Sequence, residues 1–197
     1  MKSEKEKAKE GKLYDANDRQ LLTERNLCKE LCFEYNRLRP SQMEKRNQII
    51  KQLFGKTGAT FLIEQPFYCD YGYNIEIGEN FYANVNCVIL DGAGVTFGNN
   101  VLIAPGCGFY TAGHPLDVEQ RCKGLEYARP ITIGNNVWIG AQSVILPGVT
   151  VGDNSIIGAG SVVTHNIPPH VVAAGNPCRI LKTGLNVPQT NDDSRFP

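Results

Sequence analysis

A six-residue repeat dominates the second half of this 197-residue chain and limits what it can fold into. From residue 133 the sequence divides into IGNNVW, IGAQSV, ILPGVT, VGDNSI, IGAGSV and VTHNIP, and a β-branched aliphatic residue leads each unit. An α-helix turns every 3.6 residues, so it cannot keep one side chain on one face every six residues. A unit of one short strand plus one turn can keep a side chain on the same face every six residues. The same frame runs earlier through IGENFY, ANVNCV, FGNNVL and IAPGCG, with a two-residue slip near LDGAGV.

Three six-residue units make one triangular coil, so the leading aliphatic residues should stack every eighteen residues. This predicts three stacked pairs: Ile133 over Val151, Ile139 over Ile157, and Ile145 over Val163. Neighbouring coils would pair as parallel strands about 4.8 Å apart. Glycine, asparagine and aspartate recur where the corners fall, and these residues tolerate positive φ. The repeat therefore predicts a mainly β fold, a parallel β-helix over residues 59–185.

The first 58 residues have a different pattern and predict a helical segment. Apolar residues recur at helical spacing from residue 18 to residue 38, and again around Ile49, Ile50 and Leu53. Ser41 followed by Glu44 predicts a capping box at the start of the second helix. We therefore expect a helical hairpin over residues 17–56, after a solvated lead-in at residues 1–12. The tail at residues 186–197 is polar and is expected to extend loosely.

Charge and cysteine content exclude some classes of function. Twenty basic and twenty acidic residues give a formal net charge of zero, which argues against a nucleic-acid binder. The seven cysteines include no Cys-x-x-Cys pair. We interpret them as buried thiols rather than disulfides or metal ligands, so no metal is expected. The charged start lacks an apolar stretch, and no membrane-spanning run is visible. A cytoplasmic protein is expected.

The repeat breaks off once for a long insertion that carries a histidine. The units led by Phe109 and Ile133 are twenty-four residues apart, a multiple of six, so the coil can resume in register. Within the insertion, at about residues 110–130, the stretch FYTAGHPLDVEQR contains His114. An imidazole is a suitable proton acceptor near neutral pH. On these residues alone, His114 is either a catalytic base or a loop histidine that caps a turn.

Several blocks in this order resemble one enzyme family. The blocks are CDYGYNIEIGENFYANVNCVILDG, TAGHP, and the stretch from ITIGNNVWIG to AGNPCRIL. Together they resemble the maltose and galactoside O-acetyltransferases, which are hexapeptide-repeat acyltransferases. The resemblance covers nearly the whole chain. It implies a left-handed coil, a homotrimer with each site between adjacent subunits, and acetyl-CoA and a sugar hydroxyl as substrates.

The resemblance also implies roles for particular residues. His114 would be the general base and would promote direct attack of the hydroxyl on the thioester. Asn84 would help to hold the acceptor or the reacting centre, unless it belongs to an asparagine ladder at a corner. The other expected acceptor contacts are Asp70, Asp91, Asp15, Glu126 and Trp138. Gly92 stands where the galactoside enzymes have a second acidic residue. Glu126 could instead be solvated, and Trp138 could instead belong to a subunit interface.

On the donor side the resemblance implies contacts with the pantetheine arm and the nucleotide phosphates of acetyl-CoA. The expected residues are Ala141, Ala159, Thr164, His165, Arg179 and Lys182. Lys182 replaces an arginine and keeps its charge but not its bidentate geometry. Arg179 and Lys182 could also be ordinary solvated side chains.

Three other functions remain open from the residues. An amine, such as an amino sugar, could replace the hydroxyl as acceptor. A metal-dependent hydratase on the same coil would need three converging histidines; the chain has only His114, His165 and His170, and the last two flank the end of the repeat. A non-catalytic β-helix module would not need His114.

Overall fold

A computed structural model describes residues 2–185, and its centre is one triangular coil built from three parallel sheets. The tail at residues 186–197 lies outside the described residues. The fold is mainly β, as the repeat predicts. The first face of the coil contains Ile75–Ile77 (β4), Val95–Phe97 (β7), Ile131–Ile133 (β12) and Thr150–Val151 (β15). The second contains Phe61–Ile63 (β2), Phe81–Ala83 (β5), Leu102–Ile103 (β8), Trp138–Ile139 (β13), Ile156–Ile157 (β16) and Val171–Ala174 (β18), with Arg179–Thr183 (β19) added antiparallel.

The third face contains Phe67–Cys69 (β3), Cys87–Leu90 (β6), Gly108–Tyr110 (β9), Val144–Ile145 (β14) and Val162–Val163 (β17). A small separate sheet joins Tyr14–Asp15 (β1), Ala112–Gly113 (β10) and Leu125–Ala128 (β11). Two corners matter for the site. We call the corner that contains Asn84, Ala104, Gly140 and Gly158 the second–third edge. The third–first edge contains Asp70, Leu90, Tyr110, Leu146 and Thr164.

The predicted stacking of aliphatic residues is confirmed. Ile133 pairs with Val151, Ile139 with Ile157, and Ile145 with Val163. All six residues are at most 1% exposed, so the repeat forms a continuous apolar column inside the coil. Burial of such side chains stabilises a fold by about 1.5–3 kcal/mol each, which is why a β-branched residue leads each unit.

The corner between the first and second faces shows why asparagine recurs. Asn80, Asn100, Asn136 and Asn154 have φ values of 55° to 58°. The amide of each donates to the side-chain oxygen of the next at 2.9 Å, which gives a ladder of three hydrogen bonds. Asn84 is not a member of this ladder, because it lies on the second–third edge.

Between residues 2 and 185, four helices lie outside the coil: Glu4–Lys9 (α1), Arg19–Arg37 (α2), Met43–Leu53 (α3) and Val118–Cys122 (α4). The helical hairpin α2–α3 is confirmed. Two local expectations were wrong. The lead-in is not merely solvated, because α1 buries Ala8, and Ser3 and Glu6 form a capping box there. No capping box forms at Ser41, because α3 begins only at Met43, after a turn in which Gln42 accepts from the Arg39 N–H.

Within residues 2–185, no helix is long and apolar enough to cross a lipid bilayer.

Candidate active site

Three breaks add residues to the repeat, and all three fall on the third–first edge. The buried residues that lead the units are eight apart from Cys69 to Ile77 and from Ile89 to Phe97, and twenty-four apart from Phe109 to Ile133. The register Ile75↔Val95 accordingly spans twenty residues, whereas Ile133↔Val151 spans eighteen. The first break was not predicted from the sequence, although the eight-residue spacing from Cys69 to Ile77 marks it. The extra residues stack at one edge and build the wall of a cavity.

The insertion holds His114 above this wall. Its strands β10 and β11 pair antiparallel, and β11 also pairs with β1, so the hairpin is anchored on both sides. His114 directly follows β10 and is exposed. Its Nδ1 lies 3.3 Å from the Leu125 carbonyl oxygen. A carbonyl can only accept, so this contact needs a proton on Nδ1 and leaves the lone pair of the neutral ring on Nε2.

A cavity of about 460 Å³ lies beside His114. Its lining residues come from α2, the segment after β1, the coil edge and the insertion: Ala16, Asn17, Arg25, Lys29, Asp70, Leu90, Ala112, Gly113, His114, Gly124 and Glu126. This size suits a small-molecule site. The lining combines an imidazole, two carboxylates, two cations and an amide, which together can bind a molecule rich in hydroxyl groups.

The structure brings the predicted residues Asp70 and Glu126 together with His114. The Tyr14 hydroxyl, which is buried, donates to Glu126 Oε2 at 2.8 Å and fixes this carboxylate. Burial raises the pKa of Asp70, and nearby Arg25 partly offsets that effect. Both carboxylates line the cavity and can accept hydrogen bonds from a ligand. Glu126 is therefore placed as a lining residue rather than a solvated one.

Arg25, Lys29 and Asn17 also line the cavity, and the sequence analysis missed them. Arg25 is oriented by two hydrogen bonds, to the Tyr71 hydroxyl at 2.9 Å and to the Ala16 carbonyl at 2.7 Å. One signal existed. Arg25 and Lys29 are four residues apart and therefore share one face of α2. Only the packing of α2 on the coil shows that this face meets the insertion.

Two predicted acceptor residues take supporting positions instead. Asp91 is fully buried and does not line the cavity; its Oδ1 accepts the backbone N–H groups of Asp70 and Tyr71 at 3.1 and 2.9 Å. Asp15 Oδ1 accepts the Asn17 N–H at 2.8 Å, and its neighbours Ala16 and Asn17 line the cavity in its place. Asp91 and Asp15 were predicted to contact the acceptor directly, but neither side chain lines the cavity. Asp91 is too deep, and the Asp15 side chain folds onto its own backbone.

Asp91 should make the folding stability depend on pH. Burial raises its pKa from 3.8 to about 6, and its Oδ2 has no hydrogen-bond partner among the residues that the structure describes. The folded chain therefore binds this proton more tightly than the unfolded chain, and stability is lost as pH rises from about 4 through 6. Asp91→Asn keeps the acceptor oxygen and removes the ionisation. Between pH 4 and pH 7 the natural chain should lose about 2.4 kcal/mol relative to this variant, as measured by urea unfolding. Parallel pH profiles would contradict this.

The second–third edge carries another group of predicted residues. Asn84 lies two coils from Gly140, about 10 Å along this edge. Ala141 and Ala159 follow in neighbouring coils, where the Gly160 N–H donates to the Ala141 carbonyl at 2.8 Å. The Asn84 Oδ1 accepts the Val85 N–H at 2.8 Å. None of these residues lines the cavity beside His114, because the whole third face separates the two edges.

The remaining predicted donor residues are spread around the end of the coil. Arg179 pairs in register with Ala174, which continues the second–third edge beyond Gly158. Lys182 lies further along β19, opposite Val172, and both cations are exposed. Thr164 and His165 lie on the third–first edge, where the Thr164 Oγ1 and the His165 Nδ1 are 2.8 Å apart. Within one chain, these residues do not form a single pocket with His114.

Two of the three histidines that a hydratase would need, His165 and His170, lie at different corners of the coil. His165 is on the third–first edge, whereas His170 follows the first face, where its N–H donates to the Asp153 carbonyl.

The predicted acceptor residue Trp138 lies on the second face and is 51% exposed, with its side chain pointing away from the core.

Comparison with known proteins identifies the family to which this chain is similar. The family model "Maltose acetyltransferase hexapeptide capping motif" matches residues 7–58, and "Bacterial transferase hexapeptide (six repeats)" matches residues 130–165. The galactoside O-acetyltransferase of Escherichia coli K12 is 51% identical over 177 residues, which are 90% of this chain and 87% of that protein.

Solved structures agree with the sequence comparison. A maltose O-acetyltransferase from Clostridium difficile superimposes with a TM-score of 0.91 at 51% identity, covering 92% of this chain and 97% of that one. A galactoside acetyltransferase in complex with coenzyme A also gives 0.91, at 49% identity, covering 94% and 92%. The chain is thus an acetyltransferase. It belongs to the maltose and galactoside O-acetyltransferase family of hexapeptide-repeat enzymes.

Proposed function

We propose that this enzyme transfers the acetyl group of acetyl-CoA to a hydroxyl of a sugar, with His114 as general base. The observation that carries the proposal is the orientation of His114. Its Nδ1 is held by the Leu125 carbonyl at the rim of a polar cavity. The opposite nitrogen, Nε2, is then the one able to take a proton from a bound molecule.

The proposed reaction needs one proton to move twice. His114 Nε2 accepts the proton of the sugar hydroxyl while that oxygen attacks the thioester carbonyl carbon. The carbon–oxygen bond forms and the carbon–sulfur bond breaks. The imidazolium then gives the proton to the departing thiolate of coenzyme A. The Leu125 carbonyl supports both steps, because it keeps the ring orientation fixed and partly neutralises the charge on the protonated ring.

The charges around the cavity support a carbohydrate acceptor. Asp70 and Glu126 can accept hydrogen bonds from hydroxyl groups, and Arg25 and Lys29 can donate to ring and hydroxyl oxygens. The two signs balance within the cavity, so a neutral ligand fits its electrostatics better than an ion does. The runner-up acceptor, an amine, would be protonated at neutral pH. It would have to lose a proton before it could attack.

The second–third edge is suited to the donor. Ala141 and Ala159 carry the smallest side chains next to glycine, and Gly158 and Gly160 flank Ala159. An extended pantetheine arm could therefore lie along this edge and use backbone groups. Arg179 at the end of the edge would meet nucleotide phosphates, as would the exposed Lys182. Thr164 and His165 would reach the donor only from the neighbouring edge of the same coil or from another subunit.

A homotrimer would bring the two edges together. The second face is covered by outward apolar side chains, which include Tyr82, Leu102, Trp138 and Ile156 in one parallel column. The third face presents Tyr68, Val88, Val144 and Val162, whereas the first presents Glu76, Thr96, Thr132 and Thr150. Burying apolar surface drives association. We infer that the second face of one subunit packs on the third face of the next, placing Asn84 of one chain near His114 of another.

The acceptor role of Asp70 can be tested by kinetics. Asp70→Asn removes the charge but keeps the shape, and it should raise the KM for the sugar about 10- to 100-fold, which is the cost of a hydrogen bond to a charged group. The KM for acetyl-CoA should stay unchanged, because Asp70 lies away from the second–third edge. Initial rates with each substrate varied in turn provide the check. An equal effect on both KM values would place Asp70 outside the acceptor site.

The proposed acceptor class can be tested by release of the free thiol of coenzyme A. The natural chain should turn over with a panel of glucosides, galactosides and maltose. Matched amino sugars should react more slowly, and reaction with them should leave the amine unmodified. N-acetylated products as the main species would support the amine acceptor instead. Absence of turnover with every acceptor, in protein that still binds acetyl-CoA, would contradict the proposal.

A further inference from the structure

Three buried cysteines meet where α2 packs on the coil. Cys28 and Cys32 are four residues apart on α2, and Cys69 ends β3. Their exposed fractions are 2%, 3% and 5%. Neither the comparisons nor the transfer reaction assigns this cluster a role. We propose that Cys28, Cys32 and Cys69 form a binding site for a soft monovalent cation, copper(I), which fastens α2 to the coil.

The distances between the sulfur atoms fit a three-coordinate metal. The Sγ atom of Cys69 lies 3.5 Å from that of Cys28 and 3.9 Å from that of Cys32, and all three lie within 4.8 Å of one another. A cation at about 2.3 Å from three sulfurs requires sulfur–sulfur separations of about 4 Å. The site is therefore nearly formed before a metal enters, and only small side-chain rotations are needed to close it.

The donor set favours copper(I) over zinc. Among residues 2–185, no histidine, cysteine, aspartate or glutamate joins these three sulfurs as a fourth ligand. Structural zinc sites take four protein ligands, whereas copper(I), which soft thiolates also select, can be held by three. The helical spacing of Cys28 and Cys32 places both sulfurs on one face, and Cys69 completes a triangle from the opposite side.

The cluster is connected to the surface. Cys28 lines a second cavity of about 280 Å³, which also has Glu24, Leu27 and Gln52 on its walls. Leu27 is 63% exposed, so this cavity opens at the protein surface. A metal handed over by a small thiol or a chelator could reach Cys28 by this path without unfolding of the helix.

The position of the cluster links it to the acceptor cavity. Cys69 is followed directly by Asp70, and Cys28 by Lys29; both of these neighbours line the cavity beside His114. Binding would form three sulfur–copper bonds. Each thiol that coordinates as a thiolate would release its proton to solvent, and no oxidation state would change. The bound ion would hold the helix and the coil at a fixed distance beneath the acceptor cavity.

The test uses the reduced 197-residue enzyme with Cys122→Ser, because Cys122 is an exposed thiol that could bind copper by itself. Copper(I) is titrated against a coloured copper(I) chelator without oxygen. We expect one ion per chain, three sulfurs at about 2.3 Å by X-ray absorption, and a Tm that rises by about 5–10 °C at saturation. Cys32→Ser should lower the affinity at least 100-fold. Cys178→Ser removes another buried thiol and should bind copper as the parent does.

Three results would overturn the proposal. One is the absence of competition with the chelator in the Cys122→Ser enzyme, a result that does not depend on whether any cluster variant folds. Another is unchanged stoichiometry and affinity in Cys32→Ser and in Cys69→Ala, which would place the ion elsewhere. The third is a preference for zinc with a four-ligand absorption spectrum. All these readouts are independent of acetyl transfer.

Discussion

His114→Ala should lower kcat by about 10²- to 10⁴-fold, which is the usual contribution of general-base catalysis. The side chain is exposed and, within residues 2–185, makes only one hydrogen bond, to the Leu125 carbonyl, so its loss should leave the fold and the Tm nearly unchanged. The KM for acetyl-CoA should change little. Steady-state kinetics measured with the free-thiol readout, together with thermal unfolding, would separate a chemical defect from a structural one.

A variant in the same insertion serves as the control for His114→Ala. Glu119→Gln changes an exposed residue of α4 whose side chain, in the described part of the chain, pairs only with Lys123, and it should retain full activity. If His114→Ala also kept full activity, the proton acceptor would have to be another group. If both variants lost activity, the insertion as a whole would be responsible rather than the imidazole.

Placing a charge on the second face should abolish activity by separating the subunits. Leu102 and Trp138 are neighbours in adjacent strands and are 49% and 51% exposed in the single chain. The double variant Leu102→Glu, Trp138→Glu would bury two unpaired carboxylates if the proposed trimer formed, and each costs several kcal/mol. We expect the mass in solution to fall from three chains to one 21.7 kDa chain. Turnover at micromolar concentration should fall by about 100-fold or more.

The first face supplies the control for that experiment. Thr132 is exposed on a column of polar residues, so Thr132→Glu should leave both the mass and the turnover unchanged. Light scattering and kinetics on the same samples provide both readouts. A monomeric Leu102→Glu, Trp138→Glu protein that turns over normally would show that one chain holds a complete site.

The repeat predicts the coil because its physical cause is local and recurs. A β-branched residue every six positions fixes the inner column from Ile133 to Val163, and asparagine marks the corners that need positive φ. The cavity is less predictable, because it is formed by elements far apart in the chain. Arg25 on α2 faces the insertion only after the helix has packed. Asp91 looks like a ligand in sequence, but it is buried and holds the backbone of Asp70.

Two identical local sequence patterns can also form different structures, because the pattern alone does not show which local hydrogen bond will form. Ser3 and Ser41 are each followed three positions later by glutamate, but only Ser3 forms a capping box. At Ser41 the side chain of Gln42 closes the preceding turn instead. The cysteines are also only partly predictable from the sequence. Their burial follows from their apolar character, but the meeting of Cys69 with the two cysteines of α2 depends on how the helix docks.

The most direct test of a shared site mixes two inactive variants. His114→Ala and Asn84→Ala subunits are unfolded together and refolded in equal amounts. If each site combines His114 of one chain with Asn84 of its neighbour, random trimers should recover about a quarter of the natural activity, because that share of head-to-tail interfaces pairs two intact residues. Activity that stays at the level of the separate variants would contradict the account, because each site would then take both residues from one chain.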